Sequence, residues 1–141
     1  MNVFSKLKNT KILLIDDDEW IRDAMTLFFE AEGCQIMALE TAEEALVEIH
    51  RQNYGIVICD YKLPGIDGLQ LLKEVLKAKP GIKMILITAY KTDALLSEAK
   101  QMGVHDFISK PFTSETIEAS LSRLTADLYR LNRMFGFHRF R

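Results

Sequence analysis

The chain lacks the features of several protein classes. Its 141 residues include only two cysteines, three prolines and one tryptophan. The two cysteines are not spaced as CxxC, which argues against a thiolate metal site or a paired-cysteine redox motif. Cys34 and Cys59 lie within apolar segments, so we predict two buried thiols that pack as small hydrophobic residues.

Long apolar runs are also missing from the sequence. Every apolar run falls far below the roughly 20 residues that a membrane-spanning helix needs. The first eleven residues are mixed and polar, unlike the apolar core of a signal peptide. We therefore expect no membrane span and a cytoplasmic location.

The length and composition are typical of a single globular domain. A chain of 141 residues can bury one core but is too short for two ordinary domains. The net charge of −2 is unevenly placed, because five arginines and one aspartate lie between residues 123 and 141. This basic end could contact nucleic acid or an acidic partner. It could also be a solvated helix face, which is the interpretation that we favour.

Four short apolar runs each end at a polar residue. The runs are 12–15 before Asp16 and Asp17, 56–59 before Asp60, 84–87 before Thr88, and 107–109 before Lys110. Such short runs, rich in branched side chains, indicate strands that are covered on both faces of a parallel sheet. The carboxyl ends of parallel strands line one crevice. We therefore predict that three carboxylates, a hydroxyl and an ammonium converge on a pocket suited to a divalent cation and a phosphoryl group.

Helical spacing follows each of these runs. We predict helices over about 19–32, after Thr41, over about 69–79, up to Gly103 and over 114–134, with a weaker strand over 34–39. Thr41 and Glu44 have the spacing of a capping box. Asp18 is predicted to cap the first helix, and Trp20 to be half-buried. Five repeats of strand and helix with right-handed crossovers predict a doubly wound α/β sheet.

Four motifs occur in order along the chain. They are ILLIDDD at 12–18, CDYKLPGIDG at 59–68, ITA at 87–89 and KPF at 110–112. Together they resemble the receiver domain of two-component response regulators, the family that includes the bacterial chemotaxis regulator. The resemblance covers about residues 11–124. It implies a flavodoxin-like, five-stranded parallel sheet with strand order 2-1-3-4-5 and an extended C-terminal helix.

The resemblance implies a role for each polar strand end. Asp60 is the expected phosphoacceptor and Lys110 the expected contact to the phosphoryl oxygens. The expected Mg²⁺ ligands are Asp16, Asp17, Asp60 and the backbone carbonyl of Lys62. Mg²⁺ prefers oxygen ligands and would relieve the repulsion between a carboxylate and a phosphoryl group.

The family also suggests switch and tuning residues. Thr88 is expected to swing towards the phosphoryl group and to be coupled to Phe107, which replaces the commoner tyrosine. Phe107 could instead be only a core residue. Lys62 and Tyr90 flank the expected phosphoryl position, and we hypothesise that their size slows hydrolysis. The Lys110–Pro111 bond is expected to be cis, as in the family.

The last predicted helix continues beyond what a receiver needs. Its apolar residues have heptad spacing: Ile117, Leu121, Leu124, Leu128, Leu131 and Phe135. We favour self-association through the last strand and this helix, with docking on a kinase or other target and folding back as alternatives. We divide the chain into a receiver at 1–124 and an extension with a basic, aromatic tail at 125–141. No output domain fits after Leu124, so direct DNA binding is not expected.

The sequence therefore predicts a stand-alone receiver. It would accept a phosphoryl group from a histidine kinase or a histidine phosphotransfer protein and signal to a protein partner, without being a turnover enzyme. A phosphorelay intermediate is a close variant. A Mg²⁺-dependent phosphatase or phosphotransferase with an aspartyl nucleophile is the competing class, although Tyr61 and Lys62 stand where such enzymes usually carry a second acid. A degenerate receiver that only binds partners is a further alternative.

Overall fold

Strands and helices alternate along the chain. The computed structural model describes the backbone of residues 2–135 and the side chains up to residue 126. The elements are α1 (Val3–Lys6), β1 (Lys11–Ile15), α2 (Glu19–Ala31), β2 (Gln35–Leu39), α3 (Ala42–Arg51), β3 (Ile56–Asp60), α4 (Gly68–Ala78), β4 (Lys83–Thr88), α5 (Asp93–Met102), β5 (Asp106–Ser109) and α6 (Ser114–Phe135).

The five strands form one parallel sheet in the order β2-β1-β3-β4-β5. This arrangement confirms the predicted doubly wound, flavodoxin-like fold. Helices α3, α4 and α5 cover one face of the sheet, and α1, α2 and α6 cover the other. All five residues of β3 are buried, because this central strand lies beneath helices on both faces.

Local capping sets where several helices begin and end. The predicted capping box at the start of α3 is present, because Thr41 accepts from the backbone of Glu44 and the Glu44 side chain reaches back. Asp67 and Gln70 form a second capping box at the start of α4. Helix α5 ends at Gly103, whose φ of 110° is a left-handed conformation that favours glycine.

The polar strand ends meet at one edge of the sheet. Ile15 pairs with Cys59, Asp60 pairs with Ile87, and Thr88 pairs with Ser109. Helix α4 begins directly against this edge, where a Cβ on Gly68 would lie 2.3 Å from the backbone oxygen of Asp60. Only glycine allows that approach, so the Gly68 position fixes how the β3–α4 loop leaves the strand.

Helix α1 was not predicted from the sequence. Its apolar residues Val3 and Phe4, with Leu7 just after the helix, are 3–6% exposed. The Phe4 ring packs edge-to-face against Phe28 and Phe29, with ring centroids 5.4 and 6.3 Å apart. A four-residue helix has little stability of its own, so these tertiary contacts account for it.

Helix α6 extends beyond the sheet. Its 22 residues span about 33 Å, whereas strands of four to six residues span about 13–20 Å. Ile117, Leu121 and Leu124 are buried against the sheet. The side chains of Leu128, Leu131 and Phe135 and the tail from residue 136 lie outside the described part of the chain, so the self-association of this helix stays a prediction.

An ion pair holds α6 against β5. One carboxylate oxygen of Asp106 accepts from the Ser120 hydroxyl at 2.6 Å and from the Arg123 guanidinium at 2.7 and 3.0 Å.

Within the described residues, no helix is both long and apolar enough to cross a bilayer.

We predict that Phe4→Ala lowers the free energy of unfolding by about 3 kcal/mol, because it leaves a cavity beside Phe28 and Phe29. Urea denaturation measures this change. The control Ser5→Ala alters an exposed side chain of the same helix and should stay within about 0.5 kcal/mol of wild type. A loss below about 1 kcal/mol for Phe4→Ala would show that α1 adds little to the core.

Candidate functional site

A cleft lies at the carboxyl edge of the sheet. Its volume is about 440 Å³, and its walls come from the ends of four strands and the loops that follow them. The polar side chains that line it are Asp17, Asp60, Lys62, Thr88, Tyr90 and Lys110. The strand ends predicted to converge therefore lie together in the fold.

Three carboxylates form an acidic cluster beside this cleft. Asp16, Asp17 and Asp60 each offer an oxygen, and these oxygens lie within 4.8 Å of one another. Asp16 is 0% exposed and Asp60 is 6% exposed, whereas Asp17 is open to solvent. A hard cation such as Mg²⁺ takes oxygen ligands at about 2.0–2.1 Å and keeps several waters. Two buried carboxylate ligands and one solvent-facing carboxylate ligand suit that preference.

The Lys110 ammonium joins the two buried carboxylates. Its Nζ lies 3.1 Å from Asp60 Oδ2, to which it donates a hydrogen bond, and 3.0 Å from Asp16 Oδ2. The contact with Asp16 is a short ion pair, so one ammonium is shared between two buried carboxylates. One ammonium does not balance the charge of two buried carboxylates, and a bound cation would supply the missing positive charge. The Lys110–Pro111 bond is cis, as expected.

Burial and crowding alter the acidity of these groups. Burial raises the pKa of Asp60, the nearby Asp16 raises it further, and Lys110 lowers it only in part. Burial likewise raises the pKa of Asp16. Burial alone would lower the pKa of Lys110, but the two carboxylates outweigh that effect and raise it. The site therefore holds an ammonium that stays charged and carboxylates that are costly to ionise together.

The β1–α2 loop is held by hydrogen bonds around Asp16. The Asp18 amide donates to Asp16 Oδ1 at 2.9 Å, and the Arg22 guanidinium donates to the Asp16 carbonyl at 3.0 Å. Asp18 is the N-cap of α2, as predicted, because its side chain accepts from the Trp20 amide. The prediction of a half-buried Trp20 was wrong, since that residue is 84% exposed. Trp20 lies in the first turn of α2, where its ring borders an open surface groove and not a packed core.

The Thr88 hydroxyl is buried at the cleft and already bonded. Its Oγ1 accepts from the Tyr90 amide at 2.9 Å. Phe107 pairs with Leu86 in the sheet, so its side chain shares a sheet face with Leu86 and Thr88. The Phe107 ring is half-buried against the core on that face. The expected switch pair thus occupies neighbouring positions, with the ring outside the cleft.

Two long side chains meet across the mouth of the cleft. The Lys62 ammonium lies 4.8 Å from the centroid of the Tyr90 ring, within the range of a cation–π contact. Lys62 belongs to the β3–α4 loop and Tyr90 to the β4–α5 loop. Tyr90 is 57% exposed, so its ring forms part of the outer rim.

An apolar groove adjoins the cleft. It has a volume of about 610 Å³ and lies between α2, the first turn of α6 and the β5–α6 loop. Trp20, Ala24, Phe28, Phe112 and Ile117 line it, and Lys110 borders both the groove and the cleft. Sequence reasoning did not identify this groove, because its residues come from segments far apart in the chain.

Comparison with known proteins decides the family. Residues 12–122 match the response regulator receiver domain. The chain belongs to this family. Receiver domains act in two-component signalling and interact with histidine kinases or phosphotransfer proteins. Mg²⁺ binding and phosphorylation are general properties of receiver domains.

Relatives of this receiver domain differ in length. It is 38% identical over 112 residues to the C4-dicarboxylate transport transcriptional regulatory protein DctD of Rhizobium meliloti, covering 79% of this chain and 24% of that protein. It is 30% identical over 117 residues to sporulation initiation phosphotransferase F of Bacillus subtilis, covering 83% of this chain and 94% of that protein. The chain spans about a quarter of the length of the first three curated relatives that it matches.

Solved structures share the receiver fold. A CheY-like receiver domain from Methanospirillum hungatei is 30% identical, with a TM-score of 0.75 over 84% of this chain and 98% of that one. A two-component response regulator from Clostridium difficile is 28% identical, with a TM-score of 0.78 over 87% of this chain and 98% of that one.

We predict that Asp60→Asn raises the free energy of unfolding at pH 7 in EDTA, because it removes one of the crowded carboxylates. A raised pKa means that the folded state binds protons more tightly than the unfolded chain does. Wild type therefore gains stability as the pH falls through the raised pKa. The advantage of the variant is full above that pKa and is lost below the ordinary value of 3.8.

Denaturation at several pH values measures this difference. The control Glu98→Gln removes an exposed carboxylate on α5 and should change stability little at any pH. An Asp60→Asn variant that is less stable than wild type at pH 7 in EDTA would contradict the argument.

Proposed function

We propose that this receiver domain accepts a phosphoryl group on Asp60 from a phosphorylated histidine of a kinase or a phosphotransfer protein. The observation that carries the proposal is the Lys110 ammonium, which contacts the buried Asp16 and Asp60 carboxylates at 3.0 and 3.1 Å. This arrangement places a fixed cation beside the carboxylate that would react.

The transfer would be a single displacement at phosphorus. A carboxylate oxygen of Asp60 attacks the phosphorus atom, the new O–P bond forms, and the P–N bond to the donor imidazole breaks. The imidazole nitrogen leaves with the electron pair of that bond. The Lys110 ammonium would contact the oxygens of the transferred phosphoryl group as a point charge.

The acidic cluster would hold Mg²⁺ through Asp16, Asp17, Asp60 and the backbone carbonyl of Lys62. When bound, Mg²⁺ neutralises charge between the Asp60 carboxylate and the phosphoryl oxygens. The raised pKa values of Asp16 and Asp60 support this assignment, because they reflect two buried carboxylates that share one ammonium.

The donor protein would cover the cleft and the apolar groove together. The two are continuous through Lys110, so a protein that brings a histidine to Asp60 also meets the groove. The exposed Trp20 ring offers apolar area for such a contact. This geometry supports a protein donor and a protein partner.

The switch would begin at Thr88. Its hydroxyl accepts from the Tyr90 amide, and donation to a phosphoryl oxygen would draw it away from that bond. The space that it leaves lies on the sheet face that also carries Phe107. We propose that the Phe107 ring moves into this space and so alters the β5 surface that partners meet.

Signalling rather than turnover is the role that we propose. The cleft opens to solvent through the short β3–α4 and β4–α5 loops, and Tyr61 and Lys62 follow the nucleophile where a second acid would serve an esterase. A phosphatase or phosphotransferase acting on free metabolites is therefore the weaker candidate. A relay intermediate gains support from the match to 94% of a protein named a phosphotransferase.

The remaining assignments of the chain rest on the sequence. We propose a receiver at 1–124 and a C-terminal extension at 125–141, with self-association through β5 and α6. The Asp106–Arg123 ion pair supports a fixed direction for α6 as it leaves the sheet. Cytoplasmic location stays a prediction.

We predict that wild type incubated with acetyl phosphate and Mg²⁺ gains one phosphoryl group, which intact-protein mass spectrometry detects. Asp60→Ala should gain none, and EDTA should abolish the adduct of wild type. The control Glu98→Gln should be modified like wild type. An adduct that persists in Asp60→Ala would place the acceptor elsewhere, and rapid turnover of small phosphate esters would favour an enzyme.

We predict that Tyr90→Ala loses its phosphoryl group faster than wild type, because the ring that holds Lys62 over the cleft is removed. A cation–π contact at an exposed site contributes about 0.5–1 kcal/mol, which corresponds to a rate change of about two- to fivefold. Mass spectrometry after removal of acetyl phosphate measures the decay. Tyr90→Phe keeps the ring and should decay like wild type, and equal lifetimes for all three proteins would exclude the tuning role.

A further inference from the structure

We propose that Arg22 is a positioning residue for the cation site, acting through the peptide between Asp16 and Asp17. This inference rests on the Mg²⁺ site of the proposed function. Arg22 lies on the first turn of α2, and its guanidinium donates to the Asp16 carbonyl at 3.0 Å. That carbonyl belongs to the peptide unit that joins Asp16 to Asp17.

The other polar groups of Asp16 are held by backbone atoms. Its amide donates to the Leu39 carbonyl at 3.1 Å, and its Oδ1 accepts from the Asp18 amide at 2.9 Å. Asp16 is therefore fixed by the sheet and by its own loop, with Oδ2 left facing Lys110. The ψ torsion of Asp16 is the next point at which the loop can rotate.

Asp17 depends on that peptide for its position. Its side chain is open to solvent, and no hydrogen bond or ion pair holds it among the described residues. A change in the ψ torsion of Asp16 would carry the Asp17 carboxylate away from the oxygens of Asp16 and Asp60. The Arg22 hydrogen bond opposes this rotation, so it keeps the three oxygens within 4.8 Å of one another.

The charge of Arg22 and its hydrogen bond have opposite effects on Mg²⁺ affinity, so the direction of the change tests the proposal. Among the described side chains, Arg22 forms no ion pair with a carboxylate. Its positive charge therefore lies beside the cation site and is not neutralised by an ion-pair partner. Coulomb repulsion alone makes a nearby guanidinium unfavourable for Mg²⁺. Loss of that charge should tighten Mg²⁺ binding, whereas loss of the positioning hydrogen bond should weaken it.

Arg22→Gln and Arg22→Lys separate the two effects. Glutamine removes the charge and shortens the donor, whereas lysine keeps the charge and one donor group without the planar fork. Positioning predicts Mg²⁺ affinity in the order wild type, Arg22→Lys, Arg22→Gln. Repulsion alone predicts that Arg22→Gln binds most tightly. The control Lys77→Gln removes one positive charge at the far end of α4 and should bind Mg²⁺ like wild type.

Isothermal titration and Trp20 fluorescence measure Mg²⁺ affinity without any phosphoryl donor. Supporting residues around metal ligands typically change affinity by about tenfold or more, so Arg22→Gln is expected to bind at least about tenfold more weakly than wild type. Its thermal unfolding in EDTA should remain cooperative, with a midpoint well above the temperature of the titration, which a general loss of structure would not allow. If Arg22→Gln fails to fold, the order of wild type and Arg22→Lys still decides.

Two failures are distinguishable. Wild type that binds no Mg²⁺ would overturn the proposed cation site, and this inference with it. Wild type that binds Mg²⁺ while Arg22→Gln binds it equally or more tightly would overturn the positioning role alone. Equal affinity of Arg22→Lys and Arg22→Gln, both weaker than wild type, would support a role that requires the planar fork.

Discussion

The contact of one ammonium with two buried carboxylates is the interaction on which the site depends. Lys110 follows β5, Asp60 ends β3 and Asp16 follows β1, so the contact ties together three separate strands at one edge of the sheet. Without the ammonium, two adjacent carboxylates would lie in a region that solvent barely reaches. Burial would then favour their protonation, and the anionic chemistry of the cleft would be lost.

The ammonium compensates this charge only in part. Three carboxylates and one lysine leave the cluster negative, and the pKa values of Asp16 and Asp60 remain raised. The rest of the fold must tolerate that cost, and the fully buried β3 and the helices on both faces supply the stability to do so. A site that is unfavourable when empty can respond strongly to a cation and to a phosphoryl group, which is the property that a switch requires.

Much of this molecule could be predicted from its sequence. The runs before Asp16, Asp60 and Thr88 are short, apolar and rich in branched side chains. Runs of this kind are typical of strands in a sheet that helices cover on both faces. The capping residues Thr41 and Asp18 act within one turn, so their roles follow from local spacing. Helix α1 escaped prediction because its four residues are stable only against Phe28 and Phe29. Trp20 was misjudged because nothing in the spacing of α2 shows which part of its apolar stripe another element covers.

The sequence by itself determined the alternation of the five strands with the helices that follow them, the chemical groups at the strand ends and the resemblance to one family. Each of these depends on residues that are close together in the chain or on motifs with fixed spacing. Only the tertiary structure decided that Arg22 bonds the Asp16 carbonyl, that Lys62 lies over Tyr90, and that a groove opens between α2 and α6. These contacts join segments whose approach depends on how whole elements pack, and a linear pattern does not carry that information.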